Sequence, residues 1–185
     1  MKMDEGLDTG DILLVKKVKL EKKETGGSLF DRLSVVGAEL LIETLKGLEE
    51  GTITPVPQDD TKSSYVKMLK KSMGELDFSR TAHDIECLIR GLNPWPSAYT
   101  HYNGKMLKIW DADVISDVSG IGSEENAVET DAACGTVCFV DKKSLIIKCG
   151  KDYLSVNEVQ LEGKKRMKTD AFLLGCRVEK GTVLK

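Results

Sequence analysis

No stretch of this 185-residue chain is apolar for long enough to span a bilayer. Its apolar runs are short, as in Ile12–Val15 and Leu40–Ile42. The first residues lack the apolar core of a signal peptide, so export is not expected and a cytoplasmic location is. No CxxC pair occurs among Cys87, Cys134, Cys138, Cys149 and Cys176, and the count of five is odd. With only His83 and His101 beside them, the pattern does not support a zinc site, and no metal is expected. Reduced thiols in a cytosolic protein fit this usage. A net charge of −3 lacks the basic excess of a wholesale nucleic-acid binder, and no DNA partner is expected. What remains, at 41% hydrophobic and 31% charged, is a globular chain of one large or two small domains.

The charge total hides an asymmetry. Asp111 to Asp131 carries seven acidic residues and no Lys or Arg, whereas Ala132 to Lys185 carries eleven Lys and Arg against six Asp and Glu. A locally basic final third suits a polyanionic partner.

The chain opens on MKMDEGLDTGDILLV, in which Asp4, Glu5, Asp8 and Asp11 crowd a turn built on Gly6 and Gly10 before a β-type run, Ile12–Val15. Asp8 lies between two glycines directly before that strand, where a tight turn presents a side chain. By itself Asp-Thr-Gly also reads as an ordinary turn, since Asp satisfies local backbone donors. The lysine-rich segment after it, with Val15, Val18 and Leu20, reads as an edge strand with a charged outer face.

Ser28 reads as an N-cap with Asp31 at the third helical position, and Leu29, Leu33, Val36, Leu40, Leu41, Leu45 and Leu48 recur at helical spacing. The expected helix covers residues 28–50 and stops at Gly51, its leucines reading as core. Residues 52–74, with Pro55, Pro57 and a polar run, read as a linker. Lys67, Lys70 and Lys71 there fall at helical spacing, as one wall of a basic channel or as a plain solvated face. A second helix starts near Thr81, shows Ile85, Leu88, Ile89 and Leu92 on one stripe, and ends at Asn93-Pro94. The period then becomes two. Ala98–Tyr102 and Lys105–Trp110 flank Asn103-Gly104, a hairpin signal, and strands at Gly135–Val140, Ser144–Cys149 and Tyr153–Gln160 follow. Residues 116–131 read as a mobile acidic loop, and Thr169–Leu174 as a last short helix. The expected fold class is α+β, with a strand–helix remnant followed by a helix and a small five-stranded, OB-like barrel.

Two further segments carry candidate function. Lys164, Lys165, Arg166 and Lys168 place four cations in five positions between a strand and a helix, which suits phosphate contact or an ordinary solvated charge run. Asn93-Pro94-Trp95-Pro96 fixes a helix exit, with Trp95 expected to pack between helix and barrel rather than to stack on a base. That segment holds the helix bearing Arg90.

The stretch Ile89 to Trp110, IRGLNPWPSAYTHYNGKMLKIW, resembles the C-terminal domain of methionyl-tRNA formyltransferase. ELDFSRTAHDIECLIR, QLEGKKRMKTDAFLLG and MDEGLDTGDILL agree with other blocks of that family in order and spacing. Ser97, Cys134 and Lys180 depart from the family's usual Gly, Pro and Pro. The resemblance implies the end of a folate-binding catalytic domain at residues 1–51, a linker at 52–74 and a tRNA-binding domain at 75–185. It implies formyl transfer from 10-formyltetrahydrofolate to the amino group of initiator methionyl-tRNA. Asp8 would be the carboxylate that supports a catalytic His, and Lys164, Lys165, Arg166, Lys168, Arg90, Lys70 and Lys71 would meet tRNA. The family's catalytic Asn and His and most of its donor pocket have no counterpart in these residues, so this chain is expected to bind tRNA but not to transfer formyl groups by itself. A monomer is expected, with self-association open to it through an exposed helix 28–50. A sugar-nucleotide N-formyltransferase or a stand-alone RNA-binding module are the alternatives.

Overall fold

The computed structural model describes residues 1–123 and 126–185, so Glu124 and Glu125 of the acidic loop lie outside the described residues. The chain divides into two compact units, Met1–Met68 and Leu69–Lys185, a boundary that falls inside the expected linker. No described helix is long and apolar enough to cross a membrane.

The first unit is built on α1, Gly26–Glu49. Its N-cap is Thr25, not Ser28. The Thr25 hydroxyl accepts from the Ser28 amide at 3.2 Å, and Ser28 Oγ accepts from the Thr25 amide at 2.9 Å. Ser28 is therefore the third helical residue of a reciprocal cap, a place more often filled by Glu or Gln. Arg32 grips Glu24 through Nε at 2.8 Å and Nη2 at 2.7 Å and also donates to the Lys19 carbonyl, which ties the incoming segment to the helix. The expected strands at Ile12–Val15 and Val15–Leu20 are absent from the described residues. One bridge forms instead, where Ile12 and Val56 exchange both backbone hydrogen bonds. A strand needs a partner ladder, and Val56 alone supplies one here. The apolar stripe of α1 is not core either. Leu33, Leu41, Leu45 and Leu48 are exposed and Leu29, Val36 and Leu40 only half-buried, and Gly47 is the helix's buried residue.

The second unit is a six-stranded antiparallel sheet crossed by α2, Ala82–Gly91. Its strands are β1 Ala98–Tyr102, β2 Lys105–Ile115, β3 Val137–Val140, β4 Leu145–Lys148, β5 Tyr153–Leu161 and β6 Met167–Lys168. The order is β1-β2-β5-β4-β3, with β6 paired to β5. Asn103 and Gly104 both sit at positive φ, which the two-residue hairpin turn between β1 and β2 requires. Among the described residues no ladder joins β1 to β3, so in place of the expected five-stranded, OB-like barrel the unit shows a six-stranded antiparallel sheet that is not closed. Residues 181–185 bridge its two edges. Thr182 O accepts from Val137 N at 2.7 Å, Leu184 N donates to Gly135 O at 2.9 Å, and Lys185 O accepts from His101 N at 2.7 Å.

Thr81 caps α2 by accepting from the Asp84 amide. The stripe read from the sequence faces the sheet, with Ile85 and Ile89 buried beside Leu107, Ile109, Val156 and Val159, Leu88 partly buried against them, and Leu92 buried as well. A second cluster lies around Cys138, Phe139, Ile146 and Tyr153. Val118, Ile121 and Val128 of the acidic loop pack against it, so the described part of that loop is a cover. This explains why β3 and β4 read as unbroken apolar runs, since both of their faces are covered. The short helix α3, Thr169–Gly175, follows β6 and buries Phe172.

Truncating Ile147 or Ile85 to alanine should cost about 2–5 kcal/mol, and Thr81→Ala about 1 kcal/mol. Urea unfolding followed by Trp110 fluorescence in a Trp95→Phe background would measure all three.

Candidate functional site

Two sites follow from the sequence, one in each unit. In the first unit Asp8 takes a left-handed conformation, φ 57°, which Asp tolerates better than most residues. The turn around it is bonded at several points. Lys2 N donates to Asp11 O at 2.8 Å, and Asp4 Oδ1 accepts from Gly6 N at 3.0 Å and from the Thr9 hydroxyl at 2.6 Å. Gly10 passes so close to the Lys2 carbonyl that a Cβ would lie 1.7 Å from its oxygen, so only glycine fits. The Asp8 carboxylate is exposed and has no hydrogen-bond or ion-pair partner among the described residues. It borders a cavity of about 600 Å³ that Thr9, Gln58, Asp60 and Tyr65 also line.

Gln58 carried no signal in the sequence. Its amide nitrogen donates to the carbonyls of Asp8, at 2.8 Å, and Gly10, at 2.7 Å. Both histidines belong to the second unit, His83 on α2 and His101 on β1. Of the three groups that the resemblance implies for formyl transfer, the first unit therefore presents the carboxylate alone.

In the second unit Lys164, Lys165 and Arg166 lie on the connection between β5 and β6, and Lys168 ends β6. Lys164 N donates to Leu161 O at 2.9 Å, Gly163 sits at φ 73°, and Gln160 Nε2 donates to Lys164 O at 3.0 Å, so the backbone of this turn is held. Its cations are not equivalent. The ammonium groups of Lys164 and Lys165 have no carboxylate partner among the described residues. Arg166 is engaged. Its guanidinium donates to Glu158 and stands 4.7 Å from the Trp110 ring centroid, and Lys108 Nζ stands 5.5 Å from the same ring. Arg166 holds the Glu158 carboxyl below its usual range, and Glu158 raises Arg166 in turn. Lys168 adds a smaller charge effect on Glu158.

Trp110 was visible in the sequence only as the end of a motif. Lys108 and Trp110, two apart, share one face of β2. The indole N–H is buried without a hydrogen-bond partner among the described residues. Asn93 Nδ2 donates to Trp110 O at 3.2 Å, which links the Asn93-Pro94-Trp95-Pro96 turn to the strand beneath the basic loop. Pro96 is buried, but Trp95 is 57% exposed, so it is not the packing wedge expected of it. The turn closes through Ser97 N to Leu92 O and leaves Trp95 exposed, whereas Trp110 is half-buried with Arg166 and Lys108 on its ring.

Arg90 lies half-buried on α2. Its Nε donates to Glu86 at 2.7 Å, which raises the guanidinium above its ordinary value. Lys67, Lys70 and Lys71 do not share a helix. Lys67 belongs to the first unit, and Lys70 and Lys71 are exposed at the start of a 3-10 turn, Lys71–Gly74. Of the thiols, burial pushes Cys138 up to about 11 and Cys149 up to about 12, which removes both as nucleophiles. His83, Glu86 and Cys87 gather donor atoms within 4.8 Å on α2, but Glu86 is already engaged by Arg90.

The chain is similar to known proteins along its whole length. The family described as "Formyl transferase, C-terminal domain" matches residues 68–177. Methionyl-tRNA formyltransferase of Lachnospira eligens is 62% identical over 184 residues, covering all of this chain and 56% of that protein. Those of Agathobacter rectalis and Desulfotalea psychrophila are 48% and 44% identical, with 55% and 54% of their lengths covered. The chain thus spans about half the length of the curated relatives it matches. Among solved structures, HypX from Aquifex aeolicus in complex with tetrahydrofolic acid aligns at a TM-score of 0.58 and 14% identity, over 92% of this chain and 28% of that one. An N-formyltransferase from Helicobacter canadensis, in complex with folinic acid and dTDP-3-aminofucose, aligns at 0.58 and 18% identity, over 83% and 52%. At such identities the likeness is one of fold.

Because the Glu158 carboxyl sits below its ordinary 4.5, the Arg166 pair adds stability above that value and loses it as pH falls through the lowered one. Glu158→Gln should therefore be less stable than the parent by about 1 kcal/mol at neutral pH, as for a partly exposed pair. The gap should close as the solution is acidified below 4.5, as read by urea midpoints across pH.

Proposed function

We propose, on the premise that this chain belongs to the formyl transferase C-terminal domain family, that it serves the formylation of initiator methionyl-tRNA in the cytoplasm. The donor in that reading is 10-formyltetrahydrofolate. Residues 75–185 would bind the tRNA, 52–74 would link, and 1–51 would bring one catalytic carboxylate. The observation that carries the reading is the pair Lys164 and Lys165, held on an ordered turn with no carboxylate to neutralise them among the described residues. A turn of this kind meets phosphate by releasing counterions and reads no bases. Lys168, Arg90, Lys70 and Lys71 would extend the contact, Arg166 and Arg90 while paired to Glu158 and Glu86.

The chemistry asks for a proton acceptor at the attacking amine and donors toward the developing oxyanion. Asp8 can orient a cationic or hydrogen-bonding neighbour, since its carboxylate is exposed and unpaired among the described residues. It cannot supply an oxyanion donor while ionised. The first unit holds no histidine or asparagine, and Gln58, the amide beside Asp8, is spent on backbone carbonyls, so the residues present do not make up the catalytic set that the family reading asks for. No step of transfer is assigned to them beyond the carboxylate.

A sugar-nucleotide substrate is the second reading, because the Helicobacter canadensis enzyme shares the fold. The paired free lysines favour a polyanion.

Two results would test the proposal. The purified 185-residue chain should bind initiator tRNA yet form no formyl-methionyl-tRNA, while a chimera that places the upstream part of the Lachnospira eligens protein before it should form it. Formylation by the chain alone, or a chimera that prefers a dTDP-amino sugar, would overturn the assignment. Alanine at Lys164, Lys165 and Arg166 together should weaken tRNA binding and lower the salt slope by about 1–3 released ions. An unchanged slope removes this loop from the interface.

A further inference from the structure

We infer that Gln58 is a positioning residue for Asp8, fixing the left-handed turn that presents the carboxylate. The inference rests on the reading of Asp8 as catalytic. Gln58 stands fifty residues from Asp8 and forty-eight from Gly10, yet one amide nitrogen reaches both carbonyls. The Ile12–Val56 bridge explains how. It is antiparallel, so two residues beyond Val56 lies opposite two residues before Ile12. Gln58 therefore faces Gly10, which has no side chain to occupy the space above its backbone. The amide carries two protons and spends both on carbonyls of the turn.

The chemistry of that contact is specific. A carboxylate at this position offers no proton, so ionised Glu would set negative charge against two carbonyl oxygens. A protonated Glu regains one donor. Asn is shorter by one methylene and falls back from the turn. The other restraints on the turn come from within it, through Asp4 and Lys2. Gln58 is the side chain that ties it to the segment after α1.

The first arm of the test uses the 185-residue chain itself and needs no activity. NMR coupling constants at Asp8 report its positive φ directly. Gln58→Ala and Gln58→Glu at neutral pH should shift Asp8 toward averaged φ values and speed exchange of the Ile12 amide by about tenfold or more. In Gln58→Glu the native coupling should return on acidification below the Glu range, about pH 4. Native couplings and exchange in both variants at neutral pH would overturn the inference.

The second arm uses the chimera with the upstream part of the Lachnospira eligens protein. Gln58→Glu should lower kcat by about tenfold or more, with KM for methionyl-tRNA within about twofold, and the deficit relative to the unsubstituted chimera should shrink as pH falls. A kcat equal to the unsubstituted chimera would overturn the positioning role. Asp8→Asn separates the two readings. Full kcat in that variant defeats the catalytic role of Asp8, whereas the first arm decides what Gln58 does to the turn.

Discussion

The second unit depends on one interruption of its central ladder. Ile109 pairs with Val159 and Asp111 with Glu158, then Ala112 with Val156. Trp110 on β2 and Asn157 on β5 have no opposite number. Paired extra residues turn both strands over together, so Leu107, Ile109 and Ala112 face the core on one side while Leu154, Val156 and Val159 do so on the other. A bulge on one strand alone would have sent half of this set to solvent. Both released residues are then used. Asn157 donates to Asp111 at 3.0 Å and to Asp113 at 2.7 Å, holding two carboxylates that would otherwise repel. Trp110 receives Arg166 and Lys108 on its ring. The basic turn between β5 and β6 is anchored to the same defect that lets the sheet bend.

The sheet is not closed by a ladder among the described residues. A sheet of these strands leaves β1 and β3 as open edges, which are templates for unwanted pairing. Residues 181–185 occupy both edges at once, with bonds to Val137 and Gly135 on one side and to His101 on the other. The Thr100 hydroxyl adds a bond to Lys185 O at 3.0 Å. The segment thus satisfies backbone groups at both edges without forming a named strand. Periodicity could not reveal it, since Gly181 to Lys185 contains neither alternation nor an apolar run long enough to register.

The same contrast governs the rest of what could be read beforehand. Elements whose cause is local were legible: the α2 stripe capped by Thr81, the Asn103-Gly104 hairpin, the strands around β3 to β5, and α3. Elements whose cause is a distant partner were not. The run Ile12–Val15 has strand composition but, among the described residues, a single backbone bridge, to Val56, and α1 has a leucine stripe of which Leu33, Leu41, Leu45 and Leu48 stay exposed. Thr25 was missed because Ser, in place of Glu, completes its cap. At the sites, the residue types were legible and their partners were not. The cations of the basic turn were plain in sequence. That Arg166 is tied to Glu158, eight residues earlier, follows only from the β5–β6 pairing. Gln58 gave no signal at all, because its role is set by register across nearly fifty residues.

Arg166 and Gln58 do the same physical work on different turns. Each is a planar donor engaged by the protein, Arg166 by one carboxylate and an indole ring and Gln58 by two carbonyls, and each lies next to a charged group without a hydrogen-bond or ion-pair partner among the described residues. Arg166 is held by Glu158 and Trp110 beside Lys164 and Lys165, and Gln58 is held by two carbonyls beside the Asp8 carboxylate. A charge meant for a ligand must stay solvated until the ligand arrives, so it cannot be fixed by pairing it. Fixing the backbone beneath it costs no such neutralisation. It leaves less ordering to be done on binding, which is where loops lose affinity. On this argument the cations and carboxylate that sequence composition makes prominent divide into two kinds. The paired ones set geometry, and in the proposed reading the unpaired ones, Lys164, Lys165 and Asp8, are the charges left free for a substrate, with paired Arg166 and Arg90 extending the contact.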